Sequence, residues 1–150
     1  MSTAAELAER SVHRRAVEAV IWGMPAVNTD LMYQAMARGA KGDWNQIVYW
    51  SRLLDWKNQT LTPNPDAIYF MPFFNTAQTG PVVLEIPPAD EGSITGSIMD
   101  CWQTPLEDVG PAGVDKGRGG KYVILPPGHS EPVPDGHIPL PSQTYQGYAL

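Results

Sequence analysis

The chain has 150 residues, a formal charge of −6 at neutral pH and an apolar content of 43 %. That length accommodates one domain with a sizeable core, and the acidic balance argues against a nucleic-acid partner, whose phosphates need a basic surface. No apolar run is long enough to span a bilayer, and the single cysteine, Cys101, excludes an internal disulfide framework.

The opening Met1-Ser2-Thr3-Ala4-Ala5-Glu6 lacks the basic start and apolar core of a secretory signal, so a cytoplasmic location is the default expectation. From Ala4 to about Ala26 the residues favour helix, with Val17, Val20, Ile21 and Met24 at helical spacing. Gly23 and Pro25 predict a stop near residues 22–24. Asn28-Thr29-Asp30 then offers caps for a second short helix, Leu31 to Ala37, followed by a loop at residues 39–43. Trp44 to Trp56 fits a helical stripe and a buried strand equally by period; we read it as extended or irregular. Asn58-Gln59-Thr60 matches the glycosylation pattern, but with no secretory signal it is read as chance.

At Leu61 to Thr76 the chain changes character. Pro63 and Pro65 flank Asn64 and favour an extended entry. In the run that follows, Ala67, Tyr69, Met71 and Phe73 alternate with Ile68, Phe70 and Phe74, so both faces are apolar and a strand covered on both sides is predicted. Further strands are predicted over Pro81 to Ile86, Ser93 to Gln103, Lys121 to Leu125, and His137 to Leu140 leading into Ser142 to Leu150. The proline pairs Pro87-Pro88 and Pro126-Pro127 each end a strand, because proline cannot donate to a ladder. Most of the 15 prolines and 14 glycines fall in this half, as turns between short strands require. The expected fold is mainly β: an antiparallel, jelly-roll-like β-sandwich over residues 61–150, with one or two N-terminal helices in a segment, residues 1–60, that packs on it.

Asn64-Pro65-Asp66-Ala67-Ile68-Tyr69 resembles the Asn-x-Asp-[Thr/Ala]-x-Tyr signature of the bacterial domain-of-unknown-function family 1254. The resemblance extends through Ala19 to Asn28, Gly80 to Pro87, Ile98 to Gln103 and Gly119 to Gly128, so it covers nearly the whole chain. It implies a β-sandwich that precedes a partner domain, family 1214, and it transfers no reaction to individual residues. Because the sequence stops at Tyr148-Ala149-Leu150, inside an apolar run, a truncated member lacking that partner is expected.

Asp100 is the most informative candidate. Strand alternation puts it with Ile98 and Trp102 on a face expected to be buried, where a carboxylate must be paired, hydrogen-bonded or protonated. It is either a ligand-binding or acid/base group at a pocket floor, or a structural hydrogen-bond acceptor. Asn64, Asp66 and Tyr69 form a second group: turn-setting side chains, or the mouth of a pocket at a strand end. Trp102, Gln103, Glu107 and Asp108 could extend that surface, although Glu107-Asp108 also reads as a solvated turn. His13, His129 and His137 show no metal-ligand spacing. Gly117-Arg118-Gly119-Gly120-Lys121 lacks the first glycine and the Ser/Thr of a phosphate loop and reads as a tight turn into a strand. Cys101 has no neighbouring base, and no serine elbow is present.

Two main functions are compatible with these residues, with an envelope-associated assembly protein as a further reading. One is a small-molecule-binding or structural module, the N-terminal part of a two-domain protein, prone to self-association and with no cofactor specified. The alternative is a hydrolase-like enzyme whose acidic site, with Asp66 or Asp100, lies at the interface with the second domain.

Overall fold

The computed structural model describes residues 2–55, 57, 64 and 66–150. The glycosylation pattern at 58–60 and residues 61–63 of the extended entry lie outside the described residues. The fold is mostly β: two sheets and one long N-terminal helix.

Helix α1 runs from Ala4 to Gly39. Its start is fixed by a capping box in which the Glu6 N–H donates to Thr3 Oγ1 at 3.2 Å and the Thr3 N–H donates to Glu6 Oε2 at 2.7 Å. The predicted break at residues 22–24 does not occur, and the two expected helices are one, with Pro25 in its interior. An interior proline costs a helix about 3 kcal/mol, so contacts around it must compensate. The Thr29 hydroxyl and the Gln103 side-chain amide both donate to the Pro25 carbonyl, at 3.0 and 3.3 Å. Trp22 packs on Trp102 with ring centroids 4.6 Å apart. Further along, Tyr33 stacks on Trp44 at 3.6 Å, its hydroxyl donates to Asp43 Oδ1 at 2.9 Å, and Met36 is buried. The C-terminal half of the helix is thereby clamped to the β part, which carries the chain past its proline.

The first sheet contains β1 (Gln46–Tyr49), β2 (Phe70–Asn75), β4 (Gly96–Asp100), β5 (Pro105–Val109) and β8 (Gln146–Ala149) in the order β1-β2-β8-β4-β5, and its pairings are antiparallel. The second contains β3 (Val82–Ile86), β6 (Gly120–Leu125) and β7 (His137–Pro141) in the order β3-β6-β7. Here one expectation is corrected: β6 and β7 run parallel, so the second sheet is mixed rather than wholly antiparallel. Both proline pairs terminate strands as expected, and the two strands they end, β3 and β6, are hydrogen-bonded neighbours. β7 carries Pro139 and Pro141, which an edge position tolerates. A four-residue helix, α2 (Thr76–Thr79), follows β2, capped by Asn75, whose side chain accepts from the Ala77 N–H.

The segment Ser93 to Gln103 is shorter as a strand than its alternation predicts. β4 ends at Asp100, and Cys101-Trp102 turn into β5. Glu107 and Asp108 are therefore strand residues, not a solvated turn, and Ser97 Oγ donates to Asp108 Oδ1 across the pair at 2.6 Å. Two apolar clusters result. Phe74, Ile86, Ile98, Val109, Tyr122, Ile124, Leu140 and Ala149 draw on both sheets. Met36, Met71, Phe73 and Tyr148 join α1 to the first sheet. β2 is thus covered on both faces, as its two apolar rows require.

Gly147 pairs with Phe74 on one side and Asp100 on the other. A Cβ there would meet the Met99 carbonyl and the Phe74 ring. Overpacking of this kind costs about 1–3 kcal/mol. Gly147→Ala is expected to lower the thermal midpoint measurably in a circular-dichroism melt, whereas Gly92→Ala, where a Cβ meets nothing within 4 Å, is expected to leave it nearly unchanged.

Candidate functional site

Asn64 and residues 66–69 precede β2. Asn64 is half-buried, Asp66 is exposed and Tyr69 is half-buried. Asn64 Nδ2 donates to the Tyr69 hydroxyl at 2.9 Å, and Asn64 Oδ1 accepts the Asp66 N–H at 2.8 Å. Asn64 thus sets a local turn and orients the phenol at the same time.

Tyr69 borders a pocket between the two sheets, walled by Ile68, Phe70, Leu84, Ile86, Ile94 and Val109, among others, and enclosing about 40 Å³. A second cavity of about 100 Å³ lies between β1–β2 and β3–β6, with Ile47, Phe74, Val82 and Ile124 in its wall. Leu84 and Ala149 line both. A water molecule needs about 10–15 Å³ of such space and two to four polar partners, so each cavity has room for more than one water but offers it mostly carbon. The polar side chains in the linings are Tyr69, bonded to Asn64, with Thr95 and Ser97 in the first and Asn45 in the second.

Asp100 and Trp102 lie elsewhere. Asp100 is level with Gly147 and Phe74 in the sheet, and Tyr69 is five residues further along β2, roughly 17 Å at about 3.3 Å per residue. The structure therefore does not bring Asn64, Asp66 and Tyr69 together with Asp100 and Trp102. Asp100 is buried, and Oδ1 accepts the N–H groups of Trp102 and Thr104 at 2.9 and 3.0 Å. Its own N–H donates to the Thr104 carbonyl and its carbonyl accepts from the Gln103 N–H. This carboxylate shapes the β4–β5 turn, holding Gln103 at a positive φ of 62° so that Trp102 and Gln103 reach α1. Cys101 donates its N–H to Thr144 Oγ1.

A pair with no signal in the sequence lies beneath the turn at residues 110–119. Asp115 and Tyr122 are buried, and among the described residues Asp115 Oδ2 and the Tyr122 hydroxyl each find no hydrogen-bond partner. Burial, reinforced by the negative Asp115, pushes the Tyr122 phenol up from 10.0 to about 12. Burial also raises Tyr148, and burial followed by the bond to Asp43 raises Tyr33. Asp115 stands in Val114-Asp115-Lys116-Gly117, which reads like any solvated turn; only tertiary burial marks it. Gly117 and Gly119, both at positive φ, make the tight turn into β6 that the sequence predicts. Among the described residues no three His, Cys, Asp or Glu side chains converge as a metal site would require, and no helix is long and apolar enough to cross a membrane.

Comparison with known proteins adds a family and a fold. The profile of the family described as "Protein of unknown function (DUF1254)" matches residues 44–150. A solved structure, the VPA0106 protein from Vibrio parahaemolyticus, a structural-genomics target, superimposes with a TM-score of 0.63 at 17 % identity over 87 % of this chain. The match spans only 31 % of that protein's chain, less than a third of its length. No curated protein matches the sequence.

Two outcomes follow from this geometry. Asp100→Ala takes the shared acceptor from the part-buried N–H groups of Trp102 and Thr104 and is expected to cost about 1 kcal/mol in chemical denaturation; Asp100→Asn, which keeps an acceptor oxygen, is expected to cost clearly less. Tyr122 contributes stability while its phenol is neutral. That contribution is complete below pH 10 and is lost as pH rises towards about 12. Tyr122→Phe is expected to show a shallower stability loss between those pH values than the parent chain, and equal slopes would refute the assignment.

Proposed function

The chain belongs to the DUF1254 family, proteins of unknown function, and we propose that it is a binding module for a small, mainly apolar molecule with one polar end. The observation that carries this reading is the unfilled apolar space between the sheets, with Tyr69, whose hydroxyl Asn64 orients, in its lining. An apolar ligand end entering that space gains burial without displacing strongly held water, and the phenol supplies direction. In this reading Asn64 and Tyr69 are the ligand-contacting residues and Asp66 faces solvent beside them. Asp100 and Trp102 act apart from the pocket, securing α1 to the β part.

The same reading takes the two sheets as a sandwich, supported by the cluster to which both contribute, and as a jelly-roll-like variant of it despite the parallel β6–β7 pair. It takes the chain as the N-terminal part of a longer, two-part protein, in line with the share of the Vibrio parahaemolyticus protein that it spans. The division expected at residue 60 moves forward in this reading: α1 forms the arm, while β1 (Gln46–Tyr49), inside the segment expected to be helical or irregular, already belongs to the first sheet.

Titration of straight-chain alcohols and carboxylic acids of about four to eight carbons, followed calorimetrically, tests the reading. At least one is expected to bind saturably. Leu84→Phe, which fills space common to both cavities, is expected to abolish that binding. Tyr69→Phe, which removes one hydrogen bond worth about 1 kcal/mol, is expected to weaken it roughly 5–10-fold. Absence of saturable binding across the series, or binding unaffected by Leu84→Phe in a folded variant, would overturn it.

A further inference from the structure

Helix α1 has two apolar faces, and only one of them is used. Trp22, Thr29 and Met36, spaced by seven, turn towards the β part: Trp22 touches Trp102 with one side of its ring and is otherwise 70 % exposed, and the other two are buried. On the opposite side Val17, Val20, Met24, Val27 and Leu31 follow one another at intervals of three, four, three and four, the spacing of the a and d positions of a heptad repeat. All five are open to solvent, between 46 % and 67 % exposed. If Val17 is an a position, Trp22, Thr29 and Met36 all fall on f, the position farthest from an a/d seam. The helix can thus hold the sheet and a second helix simultaneously, without competition between them.

The seam is bounded by Arg10 and His13 before it and by Gln34 and Arg38 after it. Its flanks say what covers it. The e and g positions along the seam are Ala16, Ile21, Gly23, Asn28, Asp30 and Ala35, mostly small or uncharged, and Glu9 (g) and Arg14 (e) flank the polar layers of Arg10 and His13 that precede it. In a parallel arrangement of identical helices, g lies beside the e position five residues on in the neighbour, which pairs Glu9 with Arg14 of a second copy, and Arg14 with its Glu9. An antiparallel arrangement sets e against e and g against g and forms no pair of opposite charges. The first half of α1 makes no contact that buries a side chain, whereas helices in proteins draw most of their stability from packing an apolar face.

We propose that copies of this chain associate in parallel through the Val17–Leu31 seam of α1, with the β parts held on the outside. Valine at both d positions, with methionine and leucine at two of the three a positions, suits three or four strands at least as well as two, so the measured mass reads the number of copies.

The test uses the full chain. Size-exclusion chromatography with light scattering is expected to give a mass of two or more protomers that falls on dilution. Val20→Glu combined with Val27→Glu is expected to give a monomer whose tryptophan fluorescence and β-sheet circular dichroism are retained, because neither side chain touches the sheets. Glu9→Arg and Arg14→Glu, each alone, are expected to shift the dissociation midpoint at least several-fold to higher concentration, and the double exchange is expected to restore it. A monomeric parent chain at all concentrations would overturn the proposal. So would an oligomer indifferent to the two glutamates, or a double exchange no tighter than the single ones.

Discussion

Gly147 sits between Phe74 of β2 and Asp100 of β4, where a side chain would collide with the Met99 carbonyl and the Phe74 ring. This close approach lets β8, the last strand in sequence, enter between two strands formed much earlier. Much else follows from it. With β8 seated, Tyr148 packs on Phe73 with ring centroids 6.0 Å apart, on the α1 side. Ala149 meanwhile faces the second sheet and walls both cavities. Leu150 and Ser97 exchange both backbone hydrogen bonds, extending the contact past the strand itself. One strand therefore contributes to the inter-sheet core, to the helix–sheet core and to the pocket.

A non-local insertion of this kind has a kinetic side. Pairing β8 with β2 closes a loop of some seventy residues, and loop closure must be completed before the contacts that reward it form. The β3–β6 and β4–β5 pairs are closer in sequence and can form earlier. The turn built by Asp100 belongs to the second of these, and it presents Trp102 and Gln103 to α1. The burial of Asp100 is thus explained by backbone satisfaction, and its effect is felt at Pro25.

Much of this was legible in the residues, for reasons of local physics. Alternation in Met71-Pro72-Phe73-Phe74 identified a strand covered on both sides, and Pro87-Pro88 and Pro126-Pro127 marked strand ends because they cannot donate. The family signature at Asn64 to Tyr69 led to the right family, and the Asn64–Tyr69 bond is of the local kind that such a pattern encodes. What could not be read depended on distant partners. Pro25 reads as a stop, and only the Gln103 amide and Trp102, 78 and 77 positions later, reveal why the helix continues. β5 opens with a proline and carries two acidic residues, features that look like a turn but equally suit an edge strand. The parallel pairing of β7 leaves no trace in its own five residues. Asp115 is polar, flanked by turn formers, and betrayed only by the fold around it.

The central claim is that β8 is an integral strand locked between β2 and β4, so that the helix, the two cores and the pocket stand or fall together. Native-state hydrogen exchange on the full chain tests it most directly. The account predicts that the amides of residues 147–150 exchange as slowly as those of residues 98–100, both sets opening only with global unfolding. Exchange at 147–150 far faster than at 98–100, in a separate opening event, would show β8 to be a detachable edge and would contradict the account.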